Sequence, residues 1–120
     1  MIYHIAQQQD WQTALNQGVY RIGSLESEGF IHCSKPEQVV KVANAIFRGQ
    51  VGLVLLVIDP ERLTMPLKYE PPVHVTSDQP ATTTDERFPH LYGPLNLEAV
   101  LRVLEFPPAE DGTFTLVDAG

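Results

Sequence analysis

The sequence contains a single cysteine, so no disulfide can form within the chain, and such usage fits a reducing compartment. Positive charge is also scarce: 8 Lys and Arg stand against 15 Asp and Glu in 120 residues, a net charge of −7. Binding to duplex nucleic acid through its phosphates needs a cationic surface, so that partner class is excluded. The shortage is uneven, because residues 1–50 carry four basic and four acidic side chains while residues 51–120 carry four and eleven. The neutral first half can still hold a small anionic ligand such as a nucleotide. No apolar run approaches the roughly twenty residues of a membrane span, and no charged segment followed by an apolar stretch opens the chain. The expectation is a cytoplasmic protein without membrane association. Two further absences bear on chemistry. The glycines never fall as G-x-G-x-x-G after a strand or as an eight-residue phosphate loop, which excludes Rossmann and P-loop enzymes. No Cys-x-x-Cys or His-x-x-x-His spacing supports a zinc site from His4, His32, Cys33 and His90.

What is present reads as one domain of ordinary size, 43% apolar and 19% charged. "MIYHIA" has the two-residue period of a strand, with Ile2 and His4 on one face and Tyr3 and Ile5 on the other. "QQQDWQTALNQG" predicts a short helix whose Trp11, Ala14 and Leu15 share a face and which Gly18 ends. "VYRIGSLESEG" is a turn-rich connection. In "GFIHCS" Phe30 and His32 point one way, Ile31 and Cys33 the other. "SKPEQVVKVANAIFRGQ" predicts a helix with Ser34 as cap, Glu37 closing a capping box, and an apolar stripe at Val39, Ala43, Ile46 and Phe47. "GLVLLVID" reads as the strand at the centre of the sheet, buried on both faces and stopped at Asp59-Pro60. The proline-rich stretch that follows holds "LKYE" and "VHV" as short edge strands, then one helical turn over Leu95 to Ala99, a strand through Phe106, and a last hairpin arm in "DGTFTLV". The expected core is Phe30, Leu53 to Ile58, Ile46, Phe47 and Val100 to Val103. Strands outnumber the two helices, so the fold class is α+β, helices packed on a largely antiparallel sheet.

The chemistry-bearing residues are few. Cys33 as a nucleophile would need a base within hydrogen-bond reach, yet His32 points to the opposite face, so a small buried apolar side chain is the simpler account. His4, His32 and His90 each sit in a short apolar extended segment, "IYHIA", "GFIHCS" and "FPHLYGP", where an unpartnered imidazole would be costly. Three such segments point to a shared cleft. The plainer alternative is three unrelated histidines, each bonded to nearby backbone.

Together with "SLESEGFIHCS", "QVVKVANAIFRG", "LVLLVID" and "FPHLYGPLNLEAV", these segments closely resemble the domain-of-unknown-function 952 family of small bacterial proteins, over about residues 2 to 116. That resemblance implies a compact ADP-ribosyltransferase-like fold, a split β-sheet clasping NAD. By the same resemblance His4 is similar to the histidine that contacts the nicotinamide-side ribose, and His32 to the residue that packs on the nicotinamide. Tyr3 and Phe30 would join His4 and His32 in binding the nucleotide. The third motif, where such transferases often place a catalytic glutamate, offers His90 and Tyr92 instead. A neutral imidazole cannot supply that negative charge, although it suits acid–base work near neutral pH. Glu70 in "KYE" and Glu86 before "RFPH" are the carboxylates that remain available. The implied function is an NAD-dependent ADP-ribosyl or related transferase with His4, His32, His90 and Tyr92 as catalytic residues. The alternatives are a non-enzymatic nucleotide or small-ligand-binding module and a zinc-dependent enzyme.

Overall fold

In a computed structural model, described over residues 1–71 and 86–116, the chain is a mixed α+β fold whose strands all pair antiparallel. The order is β1 (Ile2–Gln7), α1 (Gln8–Gln17), β2 (Val19–Tyr20), α2 (Gly23–Ser27), β3 (Ile31–His32), α3 (Pro36–Ile46), β4 (Leu53–Ile58), β5 (Leu67–Glu70), β6 (Phe88–Leu91), β7 (Leu95–Asn96) and β8 (Val100–Glu105). Single 3-10 turns at Pro60–Arg62 and Leu97–Ala99 complete it. One sheet has the order β1-β4-β8, another β3-β6-β5, and β2 pairs with β7. The two three-stranded sheets meet where Tyr3 and Ser34 exchange backbone hydrogen bonds of 2.8 and 2.7 Å.

All six residues of β4 are buried, as expected of a central strand with apolar side chains on both faces. Five of them divide between two cores. Val54, Leu56 and Ile58 pack with Ile2, Ala6, Trp11, Ile31 and Cys33. Leu53 and Leu55 pack with Val39, Ala43, Phe106 and Phe114, with Tyr3 and Ile5 against them. Helix α1 ends as the sequence suggests, since Gly18 adopts φ 83° and its N–H reaches the Ala14 carbonyl.

Several expectations are corrected. A third α-helix, α2, lies in the stretch read as turns; it has five residues and buries none of them, so no apolar stripe announced it. Leu15 is half exposed rather than sharing the buried face of Trp11 and Ala14. The cap of α3 is Lys35, not Ser34, and Gln38 rather than Glu37 closes the box by accepting from the Lys35 N–H at 2.9 Å. The reason is that the Ser34 N–H and carbonyl are already committed to Tyr3, so the helix starts one residue later. Ile46 is exposed at the end of α3. Leu101 and Val103, on the edge strand β8, are also exposed, at 41% and 40%. Residues 113–116 form no strand; Phe114 instead stacks on Phe106 and donates its N–H to Asn44 Oδ1 at 2.7 Å. "LKYE" is β5, whereas "VHV" lies outside the described residues.

Candidate functional site

The register of the second sheet gathers the chemistry. Ile31 pairs with Leu91 and Leu91 with Leu67, so these face the core. One residue along, His32 pairs with His90 and His90 with Lys68, and alternation turns all three to the other face. Phe30 precedes β3 on that same side. Its ring stacks on His90 with centroids 4.1 Å apart, and lies 4.7 Å from His32 and 5.2 Å from Tyr92. The His32 and His90 rings meet edge to face at 5.6 Å.

Each of the two histidines has its own carboxylate. Glu28 follows α2, and Gly29, at φ 89°, turns the chain sharply enough to bring Glu28 Oε2 to 2.8 Å from His32 Nε2. Glu70 ends β5, one step along the face from Lys68. Its Oε1 lies 2.8 Å from His90 Nδ1 and also accepts a hydrogen bond from the Tyr92 hydroxyl. The bonds from Tyr92 and His90 hold the Glu70 carboxyl below its ordinary range, so it is ionised at neutral pH, and the bond to Glu70 raises the Tyr92 hydroxyl. An ionised carboxylate only accepts, which places the proton of His90 on Nδ1. The Glu70 side chain is 33% exposed and His32 36%, whereas His90 under Phe30 is 2% exposed. The Lys68 ammonium sits 4.9 Å over the Tyr92 ring, and Lys35 lies 5.9 Å over Tyr69.

The expected cleft of four residues is thus divided. His32, His90, Tyr92 and Phe30 come together, but His4 lies beneath them, 5% exposed and behind β3. It reaches His32 only by the backbone, Nδ1 standing 2.6 Å from the His32 carbonyl while Nε2 stands 2.9 Å from the Tyr20 hydroxyl. Burial lowers its pKa to about 4, so its imidazole is neutral. Tyr3 is on the opposite face of β1, against the second core. Cys33 faces the first core, and burial pushes its thiol up to about 12, so thiolate chemistry at neutral pH is unavailable to it. Glu86 is turned to α3, bonding Lys41 at 2.8 Å and Gln38. Among the described residues no three His, Cys, Asp or Glu side chains gather as metal ligands, and the proposed zinc set is split between the two faces of β3. Two hollows among the described residues lie elsewhere, along β8 and the Pro107-Pro108 turn, while Phe30 fills the middle of the histidine cluster.

Sequence reasoning weighed Glu70 but passed over Glu28 and Lys68. Glu28 had a local signal, four residues before His32. Lys68 had none, because its place beside His90 follows from strand pairing across twenty-two positions.

Among the described residues no helix is long and apolar enough to cross a membrane. No curated protein matches the sequence. Three solved structures do, all of the protein CC0527 from Caulobacter crescentus. Its crystal structure is 35% identical, with a TM-score of 0.80, covering 96% of this chain and 93% of that one. A double-mutant crystal form is 34% identical, with the same TM-score and coverage. The solution NMR structure is 32% identical, with a TM-score of 0.67, and covers 93% and 89% of the two chains. The model of a protein family of unknown function, DUF952, matches residues 5–103, and the chain belongs to that family.

Proposed function

We propose that the protein is a cytoplasmic, NAD-using ADP-ribosyl or related transferase, with its reaction centre at Glu70, His90, Tyr92 and His32. The observation that carries this reading is the Glu70 carboxylate, ionised, one-third exposed and held by both His90 Nδ1 and the Tyr92 hydroxyl. Sequence order had left the third motif without a glutamate; pairing of β5 with β6 brings one to it. The meeting of two antiparallel sheets at Tyr3 and Ser34 also agrees with a split-sheet, ADP-ribosyltransferase-like fold.

NAD would supply a glycosidic bond whose cleavage releases nicotinamide and builds positive charge on the ribose. Glu70 stabilises that charge, and because its two donors already fix it, little reorganisation is needed when the charge develops. His90 and Tyr92 act through Glu70 by orienting it. His32, paired with Glu28 and more exposed than His90, takes a proton from an attacking hydroxyl. The partly exposed Tyr92 ring offers flat apolar surface for a planar ligand group.

A second reading, a nucleotide or small-ligand-binding module without turnover, is favoured by one feature: Phe30 stacks directly over His90 and keeps it 2% exposed. Calorimetric titration with NAD, with free nicotinamide followed in the same samples, separates the two. Saturable binding with release supports the transferase, and saturable binding without release supports the module. Absence of binding rejects both for NAD.

A further inference from the structure

We propose that Tyr92 is a nucleophile: Glu70 activates its hydroxyl, His90 orients Glu70, and the ADP-ribosyl group passes through a covalent bond to the Tyr92 oxygen. This deepens the transferase reading above and rests on it for the identity of the transferred group.

The placement of Tyr92 follows from the end of β6. Its N–H donates to the Pro66 carbonyl at 2.8 Å, so the pairing of β6 with β5 carries on one residue beyond Leu91 and Tyr92 falls on the face of His90. The ring lies under the Lys68 ammonium, 4.9 Å from its centroid, and the hydroxyl ends on Glu70 Oε1.

Three groups thereby stand in the order that nucleophilic catalysis requires: a hydroxyl, a base within hydrogen-bond reach, and a third group that holds the base. His90 Nδ1 is 2.8 Å from the same Oε1 on which the Tyr92 hydroxyl rests. A carboxylate oxygen that accepts two hydrogen bonds has its lone pairs taken, so Oε1 acts by receiving the Tyr92 proton and not by attacking carbon itself. The orienting member is the buried one, His90 at 2% exposed, while the carboxylate and the tyrosine are partly open to solvent.

The bond to Glu70 raises the Tyr92 hydroxyl, so phenolate is not the resting form. The proton leaves during the attack instead. As the phenol oxygen bonds carbon it becomes far more acidic than a carboxylic acid, and Glu70 is already in place to take the proton. In the first step the bond between the anomeric carbon of the ribose and the nicotinamide nitrogen breaks, and its electron pair leaves with nicotinamide. The Tyr92 oxygen bonds that carbon and its proton passes to Glu70. In the second step an acceptor hydroxyl attacks the same carbon and gives its proton to His32. The tyrosine oxygen leaves with the bonding pair and recovers its proton from Glu70. Each step inverts the carbon, so the product keeps the configuration of NAD. Lys68 over the ring favours the negative charge that the phenol oxygen gathers as it leaves.

The test gives the full chain NAD, with methanol as the acceptor, and reads rapid-quench mass spectra together with the configuration of the methyl riboside formed. The expected result is a transient adduct of one ADP-ribosyl group on Tyr92 and a methyl product of retained configuration. Tyr92→Phe, which keeps the ring, should form no adduct and release nicotinamide about 100-fold more slowly. An inverted product, or release by Tyr92→Phe within about threefold of wild type, overturns the proposal and leaves the transferase reading standing. A second probe needs no NAD: an aryl sulfonyl fluoride, whose sulfur a base-assisted phenol attacks with loss of fluoride. Tyr69, 44% exposed and likewise under a lysine, is the internal reference. Tyr92 should be labelled about tenfold faster than Tyr69 or more, and Glu70→Gln should remove the difference. Should the wild type release no nicotinamide, the transferase reading fails and the labelling decides alone: faster labelling upholds Tyr92 as a nucleophile, and equal labelling of the two tyrosines overturns it.

Discussion

Glu70 and His90 are twenty positions apart in sequence, yet Glu70 Oε1 stands 2.8 Å from His90 Nδ1 because β5 and β6 pair antiparallel. The carboxylate is partly exposed and the imidazole is not, so what reaches the surface is an anion already oriented from behind.

Removing that charge tests its role. Glu70→Gln keeps the shape and replaces the acceptor, so nicotinamide release should fall by about 100-fold or more while NAD affinity changes only a few-fold, since the charge acts on the transition state. Single-turnover assays at saturating NAD read both quantities. Equal release by the variant would remove Glu70 from the mechanism.

His4 makes stability depend on pH. Its pKa in the folded protein is lowered from 6.5 to about 4, so between those values the unfolded chain binds the extra proton. Its contribution is therefore complete above pH 6.5 and declines as pH falls toward 4, by roughly 3 kcal/mol in all. Glu70, whose pKa is also lowered, adds a loss of the same sign at lower pH, through the carboxylate range. Urea unfolding from pH 8 to 4 should show the slope, and His4→Asn should flatten its upper part.

Cys33 should be inert. With its thiol at about 12 and its side chain in the core, a disulfide reagent at pH 8 should label it only at the rate at which the native structure opens. Fast labelling of folded protein would contradict the packing of β3. Cys33→Ala should cost about 1 kcal/mol for the lost buried volume and leave NAD affinity unchanged.

Phe30 lies at the centre of the histidine cluster. Its ring is in contact with those of His32, His90 and Tyr92 and is 5% exposed, so Phe30→Ala should lower stability by roughly 3 kcal/mol or more. The same variant uncovers His90. If Phe30 only shields the site, NAD binding should tighten; if the ring is a surface for the ligand, binding should weaken. Calorimetry on the variant distinguishes the two.

Much of this protein was legible along the chain. The alternation in "IYHIA" put His4 on the face of Ile2, and that in "GFIHCS" separated His32 from Cys33, because a pleated strand turns successive side chains to opposite faces whatever surrounds it. The continuous apolar run at Leu53 to Ile58 could only be a central strand, and it is. The cap of α3 was misread by one residue, since nothing local shows that Ser34 is occupied by Tyr3.

The sequence by itself thus determined which faces are apolar, which histidines lie in strands, and that Cys33 is core rather than nucleophile. Only the tertiary structure decided which of those histidines come together. Strand pairing set Lys68 beside His90 and Glu70 against it, and the divergence of the two sheets put His4 behind His32. Periodicity is a property of one segment and is written in its residues, whereas register between segments is chosen by the packing of all of them at once.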